Sequence, residues 1–148
     1  MIVRITAVIF LCLVTTAIAG ADEQRRYAPA KVVYDVSTAD PKELAHILDR
    51  ASMLQNIYQN DPFEASIVFV IHEGAIPLFG ANEKNRQPEL MLRARSLSLG
   101  EIIQFRVCKA SASMQGYTKK DIQDFVSLVP MADAEIVRLQ REGYAYLR

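Results

Sequence analysis

The sequence predicts an α/β fold: a three-layer sandwich with a small, mainly parallel sheet and helices on both faces. Short β-branched or apolar runs alternate with segments whose apolar residues recur at helical spacing. Residues 65–71 (ASIVFVI) are almost continuously apolar, which is typical of a strand covered on both faces of a parallel sheet. The order strand, helix, strand, helix, strand favours parallel pairing through helical crossovers.

The first strand and helix are predicted from β-branched content and from a cap. Residues 31–36 (KVVYDV) are short and rich in valine, which indicates a strand. Asp40 and Pro41 then predict the start of a helix, because the aspartate caps the first turn and proline suits it. Apolar residues recur on one face of this helix: Leu44, Ile47, Leu48, Ala51, Leu54, Ile57 and Tyr58. The helix should end near Gln59, before Pro62.

The middle of the chain continues the alternation. The strand at 65–71 should lead into a loop that begins at His72 and contains an apolar patch at 76–79. Residues 80–87 (GANEKNRQ) are polar and predict an exposed segment whose role stays open. A second helix is predicted from Pro88 to about Leu99.

The last part of the chain predicts two further strands and a closing helix. Residues 102–107 (IIQFRV) indicate the third strand, with Cys108 at or just past its carboxyl end. Thr118 and Asp121 match a capping box, and 126–129 reads as a short strand. A helix is predicted over 133–142. The tail 144–147 fits either an edge strand or a continuation of that helix.

The amino terminus predicts export. Residues 1–19 combine a basic start, an apolar run and a small-residue cleavage signal, with cleavage after Ala19 or Ala21. The run is shorter than a membrane span requires. We therefore expect a signal peptide at 1–19, an extension at 20–30 and a single domain at 31–148, located in the periplasm without a membrane anchor after cleavage.

Composition excludes several classes of function. The chain has 17 basic and 17 acidic side chains with no basic stripe, so nucleic-acid binding has no electrostatic support. No phosphate-binding glycine loop, GxSxG elbow or CxxC spacing occurs. The two cysteines and two histidines are scattered, and we expect neither a metal nor an organic cofactor.

Cys108 is the main candidate for chemistry. If the leader is removed with Cys12, Cys108 is the remaining thiol of an exported protein and has no disulfide partner. A thiol at a helix start beside Lys109 would have its thiolate favoured by the positive charge and the helix dipole. His72 follows the second strand and is a candidate base or orienting group. The alternative reading is that Cys108 is a small, buried packing residue.

Four segments resemble the DsrE/DsrF-like family, and in particular its exported branch. They are residues 31–36, 67–74 (IVFVIHEG), 105–108 (FRVC) and 139–146 (LQREGYAY). The resemblance implies a small α/β sandwich that forms trimers or hexamers. It also implies a sulfur carrier that holds a persulfide on the strand-end cysteine, which here is Cys108, and passes the sulfur from a donor to an acceptor protein or thiol.

Three functions follow as hypotheses. The first is a periplasmic sulfur-relay protein, at most a sulfurtransferase-like carrier, that uses Cys108. The second is a non-catalytic oligomeric binding module of the same fold in which Cys108 is merely buried. The third is a small thiol hydrolase or transferase, which needs Cys108 and His72 within hydrogen-bond reach.

Overall fold

The computed structural model describes residues 27–81 and 87–148. Its strands are β1 (Ala30–Val36), β2 (Ala65–Ile71), β3 (Ile103–Cys108), β4 (Ser127–Val129) and β5 (Ala145–Leu147). Its α-helices are α1 (Pro41–Ile57), α2 (Pro88–Ser98), α3 (Lys109–Met114) and α4 (Ala132–Arg141), and 3-10 helices span Glu73–Phe79 and Lys119–Asp121. The predicted signal peptide, most of the predicted extension and most of the polar stretch 80–87 lie outside the described residues.

The five strands form one parallel sheet in the order β4-β3-β2-β1-β5. The register places Val33 opposite Val68, and Ile71 opposite Val107. The α/β sandwich with a parallel sheet is therefore confirmed. The tail that the sequence left undecided is strand β5, in which Tyr146 lies opposite Val33 of β1.

The two faces of the sheet carry separate cores, because strand side chains point alternately to opposite sides. The larger core receives residues of α1, α2, α3 and the first 3-10 helix. A row of aromatic rings crosses it: the ring centroids of Tyr34 and Phe69 are 5.1 Å apart, and those of Phe69 and Phe105 are 4.7 Å apart. The smaller core lies under α4 and contains Cys108. Its other buried members are Val33, Val68, Val70, Ala132, Ile136 and Leu139.

The chain reverses its direction across the sheet after β4. From β1 to β4 each connection steps to the next strand on the same side, and its helices contribute to the larger core. Helix α4 then crosses the opposite face and returns the chain to β5 beside β1. Helix α3, which follows β3, and helix α4, which follows β4, therefore pack on opposite faces of the sheet. In α/β proteins, ligands commonly bind at such a point of divergence, outside the carboxyl ends of the strands.

Two local predictions differ from the structure. The predicted loop with an apolar patch at 76–79 is part of the 3-10 helix Glu73–Phe79, whose Ala75, Ile76, Leu78 and Phe79 are buried. Pro77 inside it lacks an N–H group, which limits regular α-helical hydrogen bonding. The capping box of Thr118 and Asp121 is present, but it starts only the one-turn 3-10 helix Lys119–Asp121.

Candidate functional site

Cys108 lies at the junction between β3 and α3. It is the last residue of the strand and the N-cap of the helix that follows directly. Its backbone is extended, with φ −65° and ψ 112°, so its side chain turns back over the first turn of α3. There the Ser111 N–H donates a hydrogen bond to Cys108 Sγ over 3.4 Å. The thiol thus occupies the position in which serine, threonine or aspartate usually caps a helix.

A second N–H group reaches the same sulfur from α4. Ala132, the first residue of α4, donates its N–H to Cys108 Sγ over 3.3 Å. Two contacts hold the start of α4 close to Cys108. Cys108 pairs with Val129 in the sheet, and the Ala110 N–H donates a hydrogen bond of 3.3 Å to the Pro130 carbonyl. The sulfur therefore lies between two helix starts that diverge to opposite faces of the sheet.

The thiol is buried, whereas the charge that was predicted to assist it is not. Cys108 is 3% exposed, in the smaller core under α4. Lys109 is the first residue of α3 and its side chain is exposed. Among the described residues, no hydrogen bond or ion pair joins Lys109 to Cys108. The two N–H groups, and not Lys109, are the direct polar contacts of the sulfur.

His72 directly follows β2, and β2 is the neighbour of β3, the strand that ends at Cys108. Its backbone N–H donates a hydrogen bond to the Val36 carbonyl over 3.0 Å, and its ring Nε2 lies 2.6 Å from Asp35 Oδ1. The other ring nitrogen, Nδ1, is 3.9 Å from the Glu73 carboxylate. Within the part of the chain that is described, no hydrogen bond joins His72 to Cys108. The hydrogen-bonded pair of cysteine and histidine that a thiol hydrolase needs is therefore not formed.

The sequence reasoning missed Asp35 and Tyr146, which complete the surroundings of His72. Asp35 Oδ2 accepts a hydrogen bond from the Tyr146 hydroxyl, 111 positions further along the chain. This hydrogen bond raises the pKa of the Tyr146 phenol above its ordinary value of 10.0, and the negative charge of Asp35 acts in the same direction. One signal was present: Asp35 is a charged residue inside an otherwise apolar part of β1.

The loop after His72 is fastened to α3. The Glu73 N–H donates to Ser111 Oγ over 3.2 Å, and Gln115 Nε2 donates to the Glu73 carbonyl over 2.7 Å. Glu73 has φ 47°, in the left-handed region that non-glycine residues seldom occupy. At Gly74 an added Cβ would stand 2.8 Å from the Ser37 carbonyl oxygen. The loop of His72 and the helix of Cys108 are therefore held as one unit.

A cluster of ion pairs around the buried Glu135 anchors α4 to β3. Glu135 accepts hydrogen bonds from Arg106 of β3 and from Arg138 one turn along α4. The hydrogen bond from Arg138 holds the pKa of Glu135 below its ordinary 4.5; burial opposes this shift, and the contact with Arg106 adds to it. Since Ala132 begins the same helix, this cluster also fixes the N–H that contacts Cys108.

Within residues 27–81 and 87–148, no group of three or more histidine, cysteine or acidic side chains is arranged to hold a metal ion. In the same residues, no helix is long and apolar enough to cross a membrane.

Comparison with known proteins agrees with this architecture. The model of the DsrE/DsrF-like family matches residues 31–148, most of the chain. A search of curated proteins finds no match. The structure is similar to that of a protein of unknown function, MTH1491 from Methanobacterium thermoautotrophicum, with a TM-score of 0.65 and 20% identity. That similarity covers 80% of this chain and 98% of the other, and at this identity it shows a shared fold. The chain belongs to the DsrE/DsrF-like family.

Proposed function

We propose that the protein is a periplasmic sulfur carrier that holds a persulfide on Cys108 and passes the outer sulfur to a partner. The observation that supports this most is the setting of the thiol. Cys108 Sγ lies at the carboxyl end of a parallel strand and accepts hydrogen bonds from two backbone N–H groups, those of Ser111 and Ala132. Such donors bind an anionic sulfur more strongly than a neutral thiol. Membership of the DsrE/DsrF-like family is consistent with a sulfur-relay role.

The chemistry needs only a nucleophilic thiolate and a sulfane donor. In loading, the Cys108 thiolate attacks the outer sulfur of a donor persulfide R–S–S⁻. The bond between the two donor sulfurs breaks, and R–S⁻ leaves with the electron pair, so that Cys108–S–S⁻ forms without net oxidation. In delivery, an acceptor thiolate attacks the outer sulfur of Cys108–S–S⁻, and Cys108–S⁻ is regenerated as the leaving group. This scheme uses no metal or organic cofactor.

Burial of the thiol favours a second candidate function. Free cysteine is among the residue types most often buried, and Cys108 at 3% exposure fits that pattern. In this reading the protein is an oligomeric binding module of the same fold, and Cys108 only packs under α4. The two functions differ in whether the sulfur reacts while the protein remains folded.

Export and assembly complete the proposal. The predicted signal peptide at 1–19 supports a periplasmic location, and the family resemblance supports a homotrimer or homohexamer. The mass of the protein isolated from the periplasm would show whether cleavage occurs after Ala19 or Ala21. Light scattering after size exclusion would measure the number of subunits in the assembly.

Intact-mass spectrometry after incubation with inorganic polysulfide or thiosulfate tests the carrier function. The chain has two cysteines, so a Cys12→Ser background leaves Cys108 as the single thiol. We expect the mass of one sulfur atom on this protein, its removal by a reductant, and no gain in Cys108→Ser. Absence of the gain, or an equal gain in Cys108→Ser, would contradict the carrier function.

A further inference from the structure

A hydrogen-bonded chain of three side chains crosses the carboxyl edge of the sheet. Tyr146 of β5 donates to Asp35 Oδ2, and the other oxygen of Asp35 lies 2.6 Å from His72 Nε2. The side chains of His72 and Asp35 are only 14% and 16% exposed. An arrangement of this kind, in which a carboxylate orients an imidazole, is common where histidine acts in proton transfer.

The register places this chain on the same face as the thiol. Val33, Val68, Val70 and Cys108 all belong to the core under α4. Side chains two positions apart in a strand share a face, so Asp35 follows Val33 on that face, and His72, with its extended backbone, follows Val70. Ile71 is paired with Val107, so His72 is beside Cys108 at the adjacent strand end.

The hydrogen bonds also determine which ring nitrogen is free. An ionised aspartate only accepts hydrogen bonds, and it accepts here from both neighbours. Nε2 of His72 must therefore carry the proton that is shared with Asp35. In the neutral ring this leaves the lone pair on Nδ1, the atom that faces the Glu73 carboxylate at 3.9 Å.

The neighbouring elements carry three further charged groups. Arg148 follows β5 and interacts electrostatically with Tyr146. Arg106 of β3 lies opposite Val70 and is paired with Glu135 of α4. Lys109 begins α3 with an exposed side chain. The carboxylates of Asp35 and Glu73 lie 2.6 Å and 3.9 Å from the two ring nitrogens.

We propose that His72, oriented by Asp35 and Tyr146, is the general base that deprotonates the acceptor thiol when sulfur leaves Cys108. This inference rests on the proposed carrier function. The acceptor R–SH gives its proton to Nδ1 of neutral His72, and the resulting R–S⁻ attacks the outer sulfur of Cys108–S–S⁻. The bond between that sulfur and Sγ breaks, Cys108–S⁻ leaves, and R–S–S⁻ forms. The imidazolium then returns its proton to solvent, so that atoms and charge balance.

The test compares two acceptors in the Cys12→Ser background. Glutathione is largely protonated near neutral pH and needs a base, whereas thionitrobenzoate is already a thiolate and needs none. We expect His72→Gln to slow transfer from persulfidated protein to glutathione by about 10²-fold, the ordinary size of general base catalysis, and to leave transfer to thionitrobenzoate unchanged. His46→Gln is the matched control, because His46 is the other histidine and is exposed on α1.

Asp35→Asn and Tyr146→Phe test the positioning role. We expect Asp35→Asn to slow transfer to glutathione alone by roughly tenfold, with a smaller loss in Tyr146→Phe. The ¹⁵N spectrum of His72 should show the Nε2-protonated tautomer in the parent protein and a mixture of tautomers in Asp35→Asn. If His72→Gln slows transfer to both acceptors equally, or slows neither, His72 is not the general base, while the carrier function stands. If the parent protein takes up no sulfur, the carrier function and this inference both fail.

Discussion

The backbone N–H of Ala132 donates a hydrogen bond to Cys108 Sγ over 3.3 Å, and the two residues are 24 positions apart. Ser111 donates a second one over 3.4 Å. The sulfur is thus the acceptor for the N–H groups of two helix starts.

Replacement of Cys108 by serine or by alanine should separate polar capping from packing. Serine keeps an acceptor for the Ser111 and Ala132 N–H groups, whereas alanine leaves the buried Ala132 donor without a partner, which is costly. We expect Cys108→Ala to be less stable than Cys108→Ser by about 1 kcal/mol in urea unfolding. If Cys108 acts only as an apolar packing residue, the order should be reversed, because serine would then bury a hydroxyl.

The ion pairs of Glu135 should make stability depend on pH. Its pKa is lower in the folded protein than the ordinary 4.5, so its contribution is complete above 4.5 and is lost as pH falls through the folded pKa. We expect Glu135→Gln to lose about 2 kcal/mol at pH 7, since it weakens charged hydrogen bonds to Arg106 and Arg138.

Urea unfolding of this variant at a series of pH values is the measurement. The stability curves of Glu135→Gln and the parent protein should converge as the pH falls through the lowered pKa of the folded protein. An exposed carboxylate, Glu64, provides the control variant Glu64→Gln, for which we expect a change within about 0.5 kcal/mol. A deficit of Glu135→Gln that is as large at acidic pH as at pH 7 would refute the ionic origin.

Gly74 should tolerate no side chain. A Cβ at this position would stand 2.8 Å from the Ser37 carbonyl oxygen and 3.2 Å from Ala39 Cβ, so the backbone must shift. We expect Gly74→Ala to cost about 1–3 kcal/mol in urea unfolding. Gly100→Ala is the matched control, because its Cβ would approach only the end of the Gln55 side chain, at 3.3 Å. Equal stabilities of the two variants would argue against a tight contact at Gly74.

The phenol of Tyr146 should titrate above its ordinary pKa of 10.0, because its hydroxyl donates to Asp35. The ¹³Cζ chemical shift of Tyr146 measures this pKa directly. In Asp35→Asn the pKa should return toward 10. The pKa of Tyr34 is raised by burial and serves as the internal control that Asp35→Asn leaves in place. An unchanged Tyr146 titration in Asp35→Asn would show that the hydrogen bond is not formed in solution.

The sequence was sufficient to predict what depends on local patterns. Asp40 caps α1 through the Lys42 N–H as predicted, and β2 is buried between two layers. The same patterns placed His72 and Cys108 after neighbouring strands, because parallel strands end at one edge of the sheet. These features follow from side-chain periodicity and capping, which act over a few residues.

The contacts of these residues depend on register and on the return of the chain, which sequence patterns do not encode. Asp35 and Tyr146 meet because β5 pairs with β1, although the tail 144–147 was equally compatible with a helix. The hydrogen bond from Ala132 to Cys108 depends on how α4 crosses the sheet. Cys108 is buried because α4 crosses over it, so the presence of an unpaired cysteine in the sequence could not indicate whether its thiol is accessible.

The central claim, that Cys108 is a thiol that reacts in the folded protein, is tested most directly by its alkylation kinetics. With iodoacetamide in the Cys12→Ser background, the rate is followed from zero to moderate urea. A carrier must expose the sulfur through local opening of the two helix starts that contact it, above all that of α4, which covers it, so the rate should exceed that of global unfolding and hardly change at low urea. Labelling that occurs only through global unfolding, with its full urea dependence, would contradict the claim and leave Cys108 as a packing residue.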